Sequence, residues 1–306
     1  MLLSLKLIQH LFKMRTALLG LTLILYGCAA SSVTSHVQPQ SSLNQAVKRA
    51  EAMQYKWLIS STALSRISDS GLPKPLLQAY FNRPSTIVIG TEKSNPLVPN
   101  ASLAADFTSA ASLESALENN KISTSVHYLV LDIEAWSFTP KVEQEYPIQA
   151  AEGALNAARS AGKTLIFTPA TDLVKVLLGH RLKGQEFINA YSNLIAKPGA
   201  RVSDIFEIQA QGTEGTALSR SFASSTVSAI QSVNNSEPFF VGLSTNPDGR
   251  QVSPSDLLDL VKSFPNVSGF WLNVPQTGAA CPKCGQAQPK VGVEFLEQLA
   301  GMNPVS

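Results

Sequence analysis

Six apolar, largely β-branched runs recur along this chain, and their spacing constrains the fold more than any other feature. They are Thr86–Gly90, Tyr128–Asp132, Thr164–Thr168, Ile205–Gln209, Phe239–Leu243 and Gly269–Asn273. Each is followed by a helical pattern, and intervals of about 30 to 40 residues suit a strand, a crossover helix and the next parallel strand. Runs apolar at nearly every position suit strands covered on both faces. Helices are predicted between them, including Ile148 to Ala161 stopped by Gly162, and Pro254 to Phe264 capped by Ser253. The segment from Leu43 to Tyr80 reads as helical with no strong strand. The expected fold is an α/β TIM-barrel-like domain over residues 44–306, with six strands legible and the barrel irregular or incomplete.

Where the polar residues fall favours a barrel over a doubly wound sheet. Side chains alternate along a strand, so Tyr128, Val130, Asp132, Glu134 and Trp136 share one face of the second run and its exit. The same parity gives Glu92 after the first run and Thr168 on the third. It gives Glu207, Gln209 and Gln211 on the fourth, Ser244 and Asn246 on the fifth, and Trp271 and Asn273 on the sixth. Polar groups thus gather at the C-terminal ends of several strands, where barrel sites are assembled; a doubly wound sheet concentrates them at one switch point.

The sharpest chemical motif is Leu131-Asp-Ile-Glu-Ala-Trp136. Asp132 and Glu134, two apart at a strand end, project onto one face, close enough for each to perturb the other's ionisation and keep one protonated as a general acid. Trp136 offers an apolar face for a sugar ring. The segment resembles the end of the catalytic strand of family 18 glycoside hydrolases, the chitinase family, whose pattern is D-x-x-D-x-D-x-E. The last two acidic positions match here; the first two are His127 and Val130, and the motif lies on the second legible strand. The resemblance implies Glu134 as acid and Asp132 as the residue orienting the substrate. Glu92 or Glu207 would serve where a second carboxylate is required, and a substrate-assisted mechanism requires none. Glu92, Trp136, Gln209, Gln211, Trp271 and Asn273 are the expected substrate contacts, because amides and indoles suit hydroxyl-rich ligands. The competing reading is a glycan-binding or scaffold protein that keeps the barrel without turnover. Thr171 or Asp172 is expected to cap a helix; 137–147 is expected to be an ordinary βα loop whose Pro147 opens a helix, the alternative being a roof over the site.

Cys281-Pro-Lys-Cys284 lies in a Gly/Pro/Gln-rich loop after the sixth run. Three states are open: a short disulfide, half of a zinc site completed by a histidine such as His127 or His180, or a redox pair. No cofactor template is present: the sequence has no P-loop, no G-x-G-x-x-G, no G-x-S-x-G and no H-E-x-x-H, and no cofactor is expected.

The N-terminus carries its own signature. Lys6, Lys13 and Arg15 precede the apolar run Ala17 to Tyr26, which is as long as a signal-peptide core and too short to span a bilayer. Leu25-Tyr-Gly-Cys28 follows, and this resembles the lipobox of bacterial lipoproteins. It implies that residues 1–27 are a signal peptide, that Cys28 is lipidated, and that 28–43, rich in Ser and Gln, form a tether. Met14 is an alternative start. Ala29 after the cysteine points to the outer membrane where a cell has one. Removing the signal leaves 21 Lys and Arg against 22 Asp and Glu, a net charge of −1. With no basic cluster, the mature chain has no electrostatic footprint for nucleic acid. Its expected partners are a membrane, through the lipid, and a glycan or other polyhydroxylated ligand.

Overall fold

The computed structural model describes residues 40–90, 93–233, 238–264 and 266–301. The signal segment, Cys28 and nearly all of the tether lie outside the described residues, as does Glu92. Eight parallel strands close into a barrel in sequence order. They are β1 (Lys56–Ser60), β2 (Thr86–Ile89), β3 (Ser102–Phe107), β4 (Val126–Leu131), β5 (Thr164–Phe167), β6 (Ile205–Ile208), β7 (Phe239–Ser244) and β8 (Gly269–Asn273). The seam is β1 on β8, with Leu58 opposite Trp271. This is the TIM-barrel fold, complete rather than irregular, and the six runs read from sequence are β2 and β4 to β8.

The helices are α1 (Gln40–Ala52), α2 (Ser61–Asp69), α3 (Lys74–Phe81), α4 (Ala110–Glu118), α5 (Lys141–Glu145), α6 (Pro147–Ser160), α7 (Leu173–Leu178), α8 (Gly184–Tyr191), the single-turn α9 (Lys197–Gly199), α10 (Ser219–Gln231), α11 (Pro254–Ser263) and α12 (Pro289–Gly301). Gln40 to Leu43, read as the end of the tether, already belong to α1. The helix predicted from Ile148 is α6, with Pro147 at its first turn and Gly162 beyond its end at a positive φ of 66°. Ser253 caps α11 in a capping box with Asp256. Among the described helices none is long and apolar enough to cross a membrane.

The two strands missed by sequence carry short or weakly apolar runs. β1 lies inside the segment expected to be helical. Its Trp57-Leu58-Ile59 are buried, but the chain turns into α2 at once, because the Ser60 side chain accepts the Ala63 N–H. β3 reads Ser-Leu-Ala-Ala-Asp-Phe, with two alanines of low strand propensity, and its pairing with β4 shifts register at Leu103/Ala104.

Two apolar layers hold the fold. Leu58, Ile87, Ile89, Ala104, Val130, Ile166, Ile205 and Phe240 fill the barrel interior, with Tyr128 and Trp271 against them. The opposite strand faces, such as Leu129, Phe167, Phe206 and Leu272, pack on the helices. Inward parity on β4 therefore runs Tyr128, Val130, Asp132, as alternation predicts.

Candidate functional site

The β3–β4 and β4–β5 ladders continue past the formal strand ends and fix where the acidic motif points. Asp132 N–H donates to Phe107 O at 2.8 Å and Thr168 N–H to Leu131 O at 2.9 Å, so both side chains are held at the barrel mouth. Asp132 Oδ1 accepts from Thr168 Oγ1 at 3.1 Å and from Gln209 Nε2 at 3.2 Å. Gln209 also donates to Thr168 O at 3.1 Å, and Gln211 Nε2 donates to Gln209 Oε1 at 3.4 Å. Three strand ends are thereby laced together by amides and one hydroxyl.

Asp132 and Glu134 are hydrogen-bonded to each other as a carboxyl pair. Burial pushes both well above the ordinary carboxylate range. For Asp132 the charge of Glu207 adds to this, while the Thr168 donor opposes it; for Glu134 the charges of Asp132 and Asp172 add. Each acid has both like charges and a donor beside it: Thr168 opposes Glu207 and Asp106 at Asp132, and Gln209 opposes Asp132 and Asp172 at Glu134. The bond between the pair favours the anion on Asp132 and the proton on Glu134. Glu207 is fully buried, and burial, then the charge of Glu134, drives its carboxyl upward.

Asp132, Glu134, Gln209 and Gln211 open onto a cavity of about 330 Å³, at the small end of the range for ligand pockets, while Glu207 is buried and is not part of its lining. Asp132, Glu134, Trp136, Gln209, Gln211, Trp271 and Asn273 all line it, joined by Asp172, Ser244, Asp248, Cys281 and Cys284. The structure thus brings together the described residues expected as acid, orienting group and substrate contacts, but not Glu207, the described candidate for a second carboxylate. Among the described residues no lysine or arginine lines the cavity.

Trp136 is fixed from behind. Its Nε1 donates to Thr139 Oγ1 at 2.8 Å, and that hydroxyl donates to Thr108 O at 2.8 Å. Gln144 Nε2 holds the loop through Trp136 O and Thr139 O at 2.7 and 2.8 Å. The segment 137–147, expected as a βα loop, contains the short α5 with Glu143 and Gln144 buried, and Pro147 opens α6 as expected. Asp172 sits at the cap position of α7 but makes no side-chain cap bond; its Oδ1 accepts the Ala135 N–H at 3.1 Å across the mouth.

Cys281 and Cys284 form a disulfide in the wall of the pocket. Among the described residues, no group of three or more His, Cys, Asp or Glu is placed to hold a metal ion, so the zinc alternative does not arise there. Asn246, placed by strand parity with Ser244 on the inward face, is buried and anchors the disulfide loop, donating to Cys284 O at 2.8 Å and Gln286 O at 3.2 Å. Gly249, at φ 78°, lets the Lys283 carbonyl pack where a side chain would collide. Nothing in the local sequence signals this clamp, because its partners are backbone carbonyls some forty residues on.

No protein-family model and no curated protein matches this chain. Among solved structures it is similar to the carboxyl transferase domain of Rhizobium etli pyruvate carboxylase, at 8% identity and a TM-score of 0.45, covering 85% of this chain and 50% of that one. It is similar to a sugar phosphate isomerase/epimerase of Parabacteroides distasonis, at 11% identity and 0.41, covering 81% and 93%. A xylose isomerase-like TIM barrel/4-hydroxyphenylpyruvate dioxygenase fusion protein gives 9% and 0.41, covering 79% and 42%. The chain spans half or less of two of these three. At such identities no activity carries across.

Proposed function

We propose that this chain is a lipid-anchored envelope protein whose barrel mouth acts on a glycan as a glycoside hydrolase. The observation that carries the proposal is the Asp132–Glu134 pair: two hydrogen-bonded carboxyls, both held upward by burial, facing a cavity lined with indoles and amides. Glu134, retaining its proton at neutral pH, would donate it to the glycosidic oxygen as the bond to the anomeric carbon breaks. Asp132, stabilised as an anion by Thr168 and Gln209, would orient the sugar and oppose the positive charge growing on its ring. Trp136 and Trp271 offer apolar surface, and Gln211 and Asn273 offer hydrogen bonds to hydroxyls. The export reading is supported by the basic residues, apolar run and Leu25-Tyr-Gly-Cys28 sequence at the N-terminus.

Purified full chain screened against oligosaccharides is expected to release reducing ends. Glu134→Gln keeps the shape and removes the transferable proton, so kcat is expected to fall by about 10²- to 10⁴-fold with affinity nearly unchanged. Undiminished turnover in that variant would mean that Glu134 is not the acid. Binding without turnover in the wild type would favour the glycan-binding reading. Metabolic labelling with a palmitate analogue is expected to mark the wild type and miss Cys28→Ser; equal labelling of both would sink the anchor.

A further inference from the structure

Asp172 stands where an aspartate ordinarily serves a helix, and it does not serve it. It occupies the cap position before α7 with helical backbone angles, φ −73° and ψ −16°, and its side chain makes no cap bond. A capping carboxylate contributes about 1 kcal/mol to a helix start, and α7 goes without it. The carboxylate instead reaches across the mouth, where Oδ1 accepts the Ala135 N–H at 3.1 Å. Ala135 directly follows Glu134, so this bond fixes Asp172 beside the acid. Asp172 lines the cavity together with Glu134 and, unlike Glu207, is exposed.

The carboxyls lining this cavity are those of Asp132, Glu134, Asp172 and Asp248, and they differ in how each is held. Asp132 is committed: it bonds Glu134, and its Oδ1 accepts from Thr168 and Gln209. Asp248 is exposed at a turn with φ 51°, and no hydrogen bond to a described residue holds its carboxyl. Asp172 is both held and exposed, as a base for water must be. Partial burial in the mouth raises its carboxyl and the charge of Asp248 adds to this, while the Ala135 N–H and the charge of Lys175 favour the anion. Asp132 is hydrogen-bonded to Glu134, whereas Asp172 acts on Glu134 through its charge alone. The two carboxyls are near each other without touching, an arrangement in which one can serve a leaving group and the other a water.

We infer that Asp172 is the second carboxylate of the site and the base for the attacking water, so that hydrolysis inverts the anomeric carbon. The inference rests on the hydrolase reading and completes it. One O–H bond of the water breaks and its proton passes to Asp172, while the water oxygen bonds to the anomeric carbon. The bond from that carbon to the glycosidic oxygen breaks, its electron pair stays on the oxygen, and that oxygen takes the proton of Glu134. Solvent then restores the starting state: Asp172 releases its proton and Glu134 takes one up. No covalent bond forms between sugar and protein.

Proton NMR of the full chain with three probes tests this: the β-linked tetrasaccharides of N-acetylglucosamine, glucosamine and glucose. The first reducing ends released are expected to be α-anomers, before mutarotation mixes them. Asp172→Ala is expected to lower kcat by about 10²- to 10⁴-fold with KM nearly unchanged. Azide attacks carbon without needing a base, so sodium azide is expected to restore cleavage in that variant by at least about tenfold, giving the α-glycosyl azide. A residue that only supported the chain at Ala135 would show no such rescue. β-Anomers appearing first would overturn Asp172 as the base and leave Glu134 as the acid. An unchanged kcat in the variant, or a loss that azide does not relieve, would do the same. The anomer measurement needs no variant and stands even where Asp172→Ala does not fold. A wild type that cleaves none of the three would overturn the hydrolase reading and this role together.

Discussion

The start of α4 and the floor of the barrel each bury a glutamate, and the two are treated in opposite ways. Glu143, 8% exposed, is the internal cap of α4. Its carboxylate accepts from Ser109 Oγ at 2.8 Å and from the N–H groups of Ala110 and Ala111 at 2.8 and 3.1 Å. Glu207, 0% exposed, accepts nothing from the protein. Between these extremes lies Asp132, held by Thr168 and Gln209 on one oxygen. A helix start supplies unpaired N–H groups and the positive end of a dipole, so an anion there stabilises the fold. A barrel interior supplies no backbone donors, because its backbone is fully used in the ladder, so an acid there costs stability unless a side chain serves it.

The largest effect expected from this contrast is at Glu143. Glu143→Ala strips a buried hydroxyl and two N–H groups of their acceptor, which costs about 3 kcal/mol. In thermal unfolding this is a Tm lower by roughly 6–12 °C for a domain of this size. A loss below about 1 kcal/mol would mean the helix start is satisfied without the carboxylate, and the contrast with Glu207 would collapse.

Glu207→Gln should move stability the other way. Its folded pKa is raised well above the unfolded value near 4.3. Between those two values the native state holds a proton that the unfolded chain has released, so stability falls as pH rises, by up to about 1.4 kcal/mol per pH unit for one group. Its full contribution is present only below the unfolded pKa. Asp132 and Glu134, raised in the same direction, add to the slope. Denaturant titrations from pH 5 to pH 8 are expected to show wild-type stability declining. The Glu207→Gln slope should be shallower by up to one proton, and the variant's advantage over wild type should grow as pH rises toward 8. Parallel slopes would mean that Glu207 ionises as readily folded as unfolded.

The sequence carried much of this arrangement and concealed particular parts. The inward set Tyr128, Val130, Asp132 and the company of Gln209, Trp271 and Asn273 were legible because strand alternation is strict and parallel strands point the same way. β1 and β3 were concealed because three apolar residues running into a Ser60 cap, or two alanines before an aspartate, carry no strand signature. Glu143 was read within a surface loop, since its partners at 109–111 are more than thirty residues away in sequence and are mostly backbone. Asp172 looked like a cap and reaches Ala135 instead. Each of these depends on which loop lies beside which, and that is set by barrel closure rather than by local pattern.

The smallest expected effect concerns the intermediate case, Asp132. Thr168→Val preserves the side chain's shape and removes the hydroxyl that donates to Asp132 Oδ1 at 3.1 Å. That donor favours the ionised form of Asp132, against the burial and the Glu207 charge that oppose it. Without it, the first proton should leave the Asp132–Glu134 pair at higher pH, by about half a unit to one unit, equivalent to roughly 1 kcal/mol. The second proton, held mainly by Glu134, should move less, because Thr168 does not touch Glu134. The two apparent values belong to the pair, so the diagnostic is their separation, which should narrow. A carboxyl-carbon NMR titration of wild type and Thr168→Val reads this whether or not a substrate is turned over. In a hydrolase, the acid limb of kcat/KM should shift with it, since the free enzyme needs Asp132 ionised and Glu134 protonated. An unchanged first step, or a second step that moves more than the first, would assign the retained proton to Asp132 and reverse the roles given to the two acids.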